Sequence, residues 1–360
     1  MKKKESQDVS KYVYALASVV CVATIVIAVS IFDIPIFDNF YDSTDQQDEG
    51  VTKDETKETT QCTLRRTLDG ICVQSKQDQQ VPLVAVMIEN HVEARPQSGL
   101  VDASVVYEAP VEANYSRFMA LFPIENDVAK VGPVRSSRPY YLDWLQEYEK
   151  PLYMHVGGSP DALDNIVAAN ILSINEMKKG WFFWRDTAQY APHNTYTSSQ
   201  LWKAVYDDYS QKVTNTFVGW KFDDDQEACT QDCIHQIDIT FLAPNYTATW
   251  VYNPESNEYE RKQGKQFHTD LDGRLIVADT IIVQHVLSRV VDTVGRQEID
   301  TIGSGQVEIY KNGFKIIGTW KKESQSGRTN WYDAQGNLIS LKAGKIWIEV
   351  VNQRGLVTTE

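Results

Sequence analysis

Residues 94–141 restrict the fold of this chain more than any other stretch. Short apolar runs alternate there with Arg, Glu and Tyr, which stand where each run ends. Strands of an α/β sheet present polar groups at their ends in this way, and such folds keep their functional sites there. The stretch therefore predicts an α/β domain with a polar site at one edge of its sheet.

The segments around this stretch continue the alternation of strands and helices. Residues 83–88 and 152–156 are apolar runs typical of buried strands. Helical spacing or capping residues predict helices over 137–148, 160–169 and 198–209. We therefore predict an α/β N-terminal domain, a layered sheet with helices.

The second half of the chain has a different character. Short β-type runs follow one another from residue 237 onward, separated by turns rich in Asn, Gly and Pro. We predict a β-rich, mostly antiparallel C-terminal domain over residues 226–360, which leaves 62–225 for the α/β domain.

The N-terminal segment predicts a membrane anchor. Residues 12–32 are almost entirely apolar, long enough for one transmembrane helix, and the tail 1–11 carries four lysines. Basic residues on this side predict a cytoplasmic N-terminus and an extracytoplasmic body, so the chain is expected to be a single-pass membrane protein. Residues 33–61 are acidic and, from Asp38 onward, contain almost nothing apolar, which predicts a flexible linker.

The distribution of charge argues against nucleic acid as a partner. Of the net charge of −14, residues 33–61 carry nine acids and two lysines, and residues 1–32 carry four lysines and two acids. That leaves −9 for residues 62–360. An acidic body without a basic stripe is not typical of a nucleic-acid-binding protein.

Four of the five cysteines form two close pairs, Cys62 with Cys72 and Cys229 with Cys233. Two local disulfides in an oxidising compartment are the favoured interpretation. A zinc site is the alternative, but neither pair has C-x-x-C spacing and only one histidine is near. We predict no metal site.

With these residues in view, the chain resembles the YerB-like family of bacterial envelope proteins. The likeness runs from about Val84 to the C-terminus and depends on several motifs in order, V-A-V-M-I-E-N-H, A-R-P-Q-S-G-L, V-Y-E-A, S-R-F-M-A-L-F, V-G-P-V-R-S-S-R-P-Y and A-P-H-N-T-Y-T-S. The resemblance implies an envelope location and a two-part body, and it implies no reaction. The chain departs from the family at 113–115, where Ala-Asn-Tyr replaces a Gly-Gly pair.

Arg135, Ser136 and Arg138 are candidates for binding an anion. They lead into a predicted helix, where backbone amides, a hydroxyl and guanidinium groups together suit phosphate or carboxylate. The alternative is that both arginines form structural ion pairs, with Glu108, Glu112 and Glu147 as candidate partners.

Glu108 ends an apolar strand beside Tyr107, and Arg117 opens the next strand. A desolvated carboxylate at this position can act as a general acid or base. The alternative is an ion pair with Arg117, which makes the role of Glu108 structural. Tyr107 and Arg117 are also predicted ligand-binding residues.

His193 lies in a polar loop beside Asn194, a further predicted ligand-binding residue. A loop histidine can shuttle a proton or bind a ligand. The alternative is that His193 caps the following helix.

Together these residues predict a binding module whose Arg/Glu/His pocket takes an anionic envelope ligand or a partner protein. A cell-envelope hydrolase using Glu108 and His193 is the first alternative, and a non-catalytic protein–protein scaffold is the second. No nucleophile elbow, H-E-x-x-H, Walker or dinucleotide motif occurs, so no cofactor is predicted.

Overall fold

The computed structural model describes residues 62–112, 115–223, 227–241 and 243–360. Thr60–Glu360 form one compact unit. Within the described ranges, no helix combines the length and the apolar character needed to cross a membrane. The predicted tail 1–11, membrane span 12–32 and linker 33–61 lie outside the described residues.

The described residues contain three α-helices and a large number of strands. The helices are α1 (Pro139–Leu145), α2 (Pro160–Ala168) and α3 (Ser199–Tyr209). The strands of the first half are β1 (Leu83–Glu89), β2 (Val105–Pro110), β3 (Ser116–Pro123), β4 (Leu152–His155), β5 (Ser173–Asn175), β6 (Trp184–Arg185), β7 (Thr195–Tyr196) and β8 (Phe222–Asp223). Those of the second half are β9 (Gln236–Thr240), β10 (Thr247–Asn253), β11 (Glu258–Gln263), β12 (Gln266–Phe267), β13 (Val277–Ala278), β14 (Thr280–Val286), β15 (Ser288–Val290), β16 (Gln297–Ile299), β17 (Gly303–Lys311), β18 (Phe314–Lys322), β19 (Asn330–Tyr332), β20 (Leu341–Lys342), β21 (Ile346–Asn352) and β22 (Leu356–Thr359).

Local sequence explains where the helices begin. The hydroxyl of Ser159 accepts a hydrogen bond from the backbone N–H of Ala162, and Pro160 occupies the first helical position of α2. Ser198 caps α3 in the same way. All three predicted helices are therefore confirmed, with α1 shorter than expected because its last turn tightens to a 3₁₀ helix.

The main sheet has ten strands in the order β19-β18-β17-β14-β21-β2-β3-β1-β4-β5. Strands β1, β2 and β3 are buried along their whole length, as their continuous apolar runs predict. The second sheet is antiparallel and contains β9 to β13 and β22. A sheet-rich fold with few helices, α/β in its first half and β-rich in its second, agrees with the prediction.

The ten-stranded sheet contains strands from both halves of the chain. Parallel pairing of β2 with β21 joins them, and its register sets Glu108 opposite Glu349. The predicted boundary at residues 225 and 226 therefore does not separate two independent sheets.

Both predicted disulfides are confirmed. Cys62 is bonded to Cys72, and Cys229 is bonded to Cys233. The first bond closes a loop at the start of the described chain, and the second closes a short loop just before β9.

Candidate functional site

The segment that carries Arg135 and Arg138 is held by ion pairs. Nε of Arg135 lies 2.8 Å from Oε1 of Glu89, at the end of β1. Nε of Arg138 donates to Oε2 of Glu112 at 2.9 Å. Burial disfavours the charged form of Glu112, but the hydrogen bond and the charge of Arg138 keep its pKa below the usual value. The predicted structural pair with Glu112 is confirmed, and Arg135 has a partner that was not among those predicted.

Arg117 completes the attachment of this segment. Its Nη1 donates to the backbone carbonyl of Ser136 at 2.8 Å, and the side chain is almost fully buried. Burial and the neighbouring charge of Arg138 lower the pKa of Arg117. The carbonyl of Ser136 is thus used to fix the backbone. Arg117, Arg135 and Arg138 all serve first to tie the segment to the sheet.

Glu108 lies in the core, away from these arginines. Its side chain is 0% exposed, and Oε2 accepts a hydrogen bond from Arg261 of β11 at 2.5 Å. Oε1 accepts from Ser116 at 2.5 Å and from Asn90 at 3.1 Å. The predicted ion pair between Glu108 and Arg117 is therefore wrong. Arg117 stands opposite Ala109, and not opposite Glu108, in the β2–β3 register. A carboxylate enclosed in this way has no access to a substrate.

A second carboxyl group lies beside Glu108. Glu349 is also 0% exposed, and its Oε1 accepts a hydrogen bond from the indole N–H of Trp250 at 2.8 Å. Burial, and then the adjacent charge of Glu108, raise the pKa of Glu349 well above its usual value. Burial and the neighbouring carboxyl group thus favour the neutral form of Glu349, whereas Glu108 forms the ion pair with Arg261.

His193 lies in a different polar cluster, at the surface end of β1. Its Nδ1 is 2.8 Å from Oε2 of Glu89, and its Nε2 is 3.3 Å from Oε2 of Glu93. The ring stacks on His91 with centroids 4.9 Å apart. The helix-capping alternative for His193 is wrong, because Ser198 caps α3. The structure brings the predicted site residues Arg135 and His193 together through Glu89.

Tyr107 and Asn194 lie outside this cluster. The hydroxyl of Tyr107 hydrogen-bonds to that of Tyr148 at 3.0 Å, beneath α1. Asn194 accepts from Arg185 at 3.1 Å and its amide donates to the carbonyls of Asp186 and Gln189, which holds the loop before β7. The predicted residues therefore fall into several groups and do not line one common pocket.

Arg95 was not among the predicted site residues, although it opens the A-R-P-Q-S-G-L motif. Its Nε and Nη2 donate to the side-chain and backbone oxygens of Asn90, and Nη1 donates to the carbonyl of Asn245. The guanidinium lies 4.9 Å above the ring of Tyr246. Among the described residues, no carboxylate forms an ion pair with it. Burial, opposed by Tyr246 and reinforced by the charge of Arg261, lowers its pKa to about 10.

Arg95 lines an open groove of about 670 Å³ between the start of the chain's first half and the second sheet. Lys265 also lines this groove, which we call the Arg95 groove, and its one acidic residue is Asp238. Asp238 accepts hydrogen bonds from Gln236 and Thr249. The lining of the groove thus carries an excess of positive charge on a body that is acidic as a whole.

Comparisons with known proteins agree on one family. Residues 68–241 match the N-terminal domain, and residues 237–348 the C-terminal domain, of the family described as "Protein of unknown function (DUF3048)". The "Putative lipoprotein YerB" of Bacillus subtilis (strain 168) is 27% identical over 292 residues, which are 80% of this chain and 83% of that protein. The crystal structure of YerB from Bacillus subtilis superposes with a TM-score of 0.72 at 26% identity, over 82% of this chain and 99% of that one.

Proposed function

Since this chain belongs to the YerB-like family of bacterial envelope proteins, we propose that it is a membrane-anchored, extracytoplasmic module that binds an anionic envelope ligand. The apolar run 12–32 supports the anchor, and the name of the Bacillus relative, a lipoprotein, supports attachment to a membrane. We place the N-terminus in the cytoplasm, because four lysines precede the apolar run.

The observation that carries the binding proposal is the uncompensated charge of Arg95. Three of its five N–H groups donate to neutral oxygens, which leaves one N–H on each terminal nitrogen for a ligand. A partly buried cation surrounded by neutral acceptors, as Arg95 is, gains from an anion, because the anion offsets the cost of its desolvation. Arginine is also the side chain that grips phosphate and carboxylate with two parallel hydrogen bonds.

The groove fits such a ligand in size and charge. Its volume is within the range of pockets that bind small molecules, and Lys265 adds a second, exposed cation at its rim. The guanidinium of Arg95 lies over the ring of Tyr246, whose centroid is 5.0 Å from that of Tyr115. We therefore propose Arg95 as the ligand site, with the arginines at 117, 135 and 138 supporting the surrounding framework.

We expect anionic envelope fragments to raise the thermal stability of residues 60–360, and the replacement of Arg95 by glutamine to weaken their binding about ten- to a hundredfold. A ligand at 100 times its dissociation constant adds about 2.7 kcal/mol to the free energy of unfolding. The measurement is a thermal melt against phosphate-bearing and carboxylate-bearing fragments, at low and high salt.

Two lysines give a matched control for this experiment. Lys265→Ala removes the exposed groove charge and should weaken binding by up to about fivefold, as expected for an exposed charge. Lys262→Ala removes an equal positive charge three residues before Lys265. Because Lys262 does not line the groove, this variant should bind the fragments as the wild type does. Equal binding by the wild type and Arg95→Gln would show that the proposed site is wrong.

A protein partner is the second candidate ligand, favoured by one exposed surface. The β15–β16 hairpin and its flanks expose five apolar side chains, Leu287, Val290, Val291, Val294 and Ile302. Exposed apolar groups concentrated in one region are typical of interaction sites. If no anionic fragment binds, this hairpin is the surface at which the scaffold alternative should be tested.

The hydrolase alternative has less support. It requires Glu108 and His193 to act on one substrate, whereas Glu108 is enclosed by Arg261, Ser116 and Asn90 and His193 pairs with Glu89. A general acid or base must lie within hydrogen-bonding distance of the group that it serves.

A further inference from the structure

We infer that His91, Glu93 and His193 form a binding site for one divalent transition-metal ion, with zinc as the best match. We call these three residues the two-histidine site. The inference is independent of the Arg95 groove, because it depends on other side chains and on a ligand of opposite charge.

The three side chains converge closely enough to share one ion. One ligand atom from each lies within 4.8 Å of the other two. Oε2 of Glu93 is 3.3 Å from Nε2 of His193 and 3.8 Å from Nδ1 of His91. Ligand atoms about 2.0–2.1 Å from a tetrahedral zinc ion lie about 3.4 Å apart, so one of these distances already fits and small side-chain rotations bring the others into range.

The contacts of His193 orient its ring for a metal. Nδ1 donates to Oε2 of Glu89 at 2.8 Å, which leaves the lone pair of Nε2 directed at Glu93. The other oxygen of Glu89 is held by Arg135 at 2.8 Å. A histidine that donates one N–H to a buried carboxylate and offers the other nitrogen to the ion is the usual arrangement in zinc sites. Glu89 and Arg135 thus act as positioning residues.

His91 and Glu93 come from the turn that follows β1. His91 begins a 3₁₀ turn, where its Nδ1 accepts a hydrogen bond from the backbone N–H of Glu93 at 3.2 Å, and its ring packs edge-on against Tyr115. Nδ1 has one lone pair, so an ion bound through Nδ1 takes the place of this hydrogen bond. The side chain of Glu93 is 71% exposed, so one side of the cluster is open to water. The site thus offers three protein ligands and an accessible fourth position.

The types of ligand select the class of metal. Two imidazole nitrogens and one carboxylate suit zinc and neighbouring first-row ions, whereas magnesium and calcium prefer oxygen ligands alone. The rival explanation of the same geometry is a second proton on His193, which would let both ring nitrogens donate to Glu89 and Glu93. Only a metal titration separates a bound cation from a proton.

The test uses the full chain in detergent, without a histidine tag and with Cys21 replaced by serine so that no free thiol competes. After treatment with a chelator, we expect one equivalent of Zn²⁺ to bind by calorimetry, and Co²⁺ to give the visible spectrum of a four-coordinate site. His193→Ala and His91→Ala should each weaken zinc binding more than a hundredfold. Glu89→Gln should weaken it about ten- to a hundredfold, through loss of the orienting carboxylate.

His285→Ala is the matched control. His285 also has a carboxylate partner, with Nε2 3.1 Å from Oε1 of Glu308, but it is not a member of the two-histidine site. Its replacement, like Arg95→Gln, should leave zinc binding unchanged. Failure of the wild type to bind zinc at one equivalent, or an equal loss in His285→Ala and His193→Ala, would overturn the inference. Circular dichroism of each variant, and the more conservative His193→Gln, separate loss of a ligand from loss of fold.

Discussion

Replacing Arg261 by alanine is expected to lower the free energy of unfolding by about 3–5 kcal/mol, the cost of leaving a buried charge without its partner. For a body of this size the melting temperature should fall by roughly 5–8 °C. The measurement is thermal and denaturant unfolding of residues 60–360, followed by the intrinsic fluorescence of the buried tryptophans.

The size of this effect follows from the surroundings of Arg261. Its side chain is 0% exposed and forms an ion pair with Glu108, which comes from the other half of the chain. Nη1 also donates to Gln263 at 2.6 Å, and the guanidinium lies 4.9 Å from the ring centre of Trp347. Truncation removes the hydrogen bonds and the packing together, and it leaves the carboxylate of Glu108 buried without a cation.

Arg274→Ala provides the matched control. Arg274 also pairs across the two halves of the chain, with Asp102 at 2.6 Å, but its side chain is half exposed. Exposed ion pairs contribute at most about 1 kcal/mol, so this variant should be nearly as stable as the wild type. Equal destabilisation by the two substitutions would mean that the Glu108–Arg261 pair does not hold the halves together.

Much of the fold could be predicted because several of its strands contain continuous apolar runs. Strands β1, β3 and β14 contain continuous apolar runs, which the sequence shows directly. Strand β11 was not predicted, although it alternates between half-buried and buried residues. Its inward positions are Tyr259, Arg261 and Gln263, so the hydrophobic alternation that marks a strand is replaced by polar residues.

The pairing of the site residues could not be predicted from sequence. Glu108 and Arg117 end adjacent strands, which suggested an ion pair, but the register sets Glu108 opposite Phe118 and Arg117 opposite Ala109. Because side chains alternate between the two faces of a strand, Glu108 and Arg117 point to opposite sides of the sheet. The actual partner, Arg261, is 153 residues away in a strand of the second sheet.

The sequence did indicate that His91 and Glu93 could belong to a site. They follow the end of β1 in E-N-H-V-E-A-R, the position at which an α/β sheet presents polar side chains. Their link to His193 depends on the loop before β7 returning to the end of β1, which brings residues about 100 positions apart into contact. Local sequence indicates each residue of such a site, whereas only the fold shows that they meet.

Glu349→Gln is expected to stabilise the protein, and by more as the pH rises. Burial and the charge of Glu108 raise the pKa of Glu349 well above its usual value. Folding therefore takes up a proton at each pH at which the Glu349 carboxyl is ionised in the unfolded chain and neutral in the folded one. The contribution of this group is complete below its ordinary pKa and is lost as the pH rises toward the folded value. Stability of the wild type should therefore fall as the pH rises above the ordinary pKa of a glutamate, by at most roughly 1 kcal/mol per pH unit from this carboxyl.

Glutamine removes this dependence while keeping the hydrogen bond from Trp250. Its carbonyl can accept from Trp250 as Oε1 of Glu349 does, and its amide replaces Oε2, which has no hydrogen-bond partner among the described residues. The difference in unfolding free energy between Glu349→Gln and wild type should grow as the pH rises from 5.5 to 7.5. Denaturant unfolding at several pH values measures it.

Asp333→Asn is the matched control, because it makes the same change from carboxyl to amide in a group whose pKa is shifted the other way. Backbone N–H groups, that of Asn337 first, lower the pKa of Asp333, so it is ionised in the folded and the unfolded chain throughout this pH range. Its stability difference from wild type should therefore be independent of pH. If the unfolding free energies of Glu349→Gln and wild type change with pH in parallel, Glu349 is ionised in the folded protein. Arg261 would then have to neutralise two carboxylates where β2 pairs with β21.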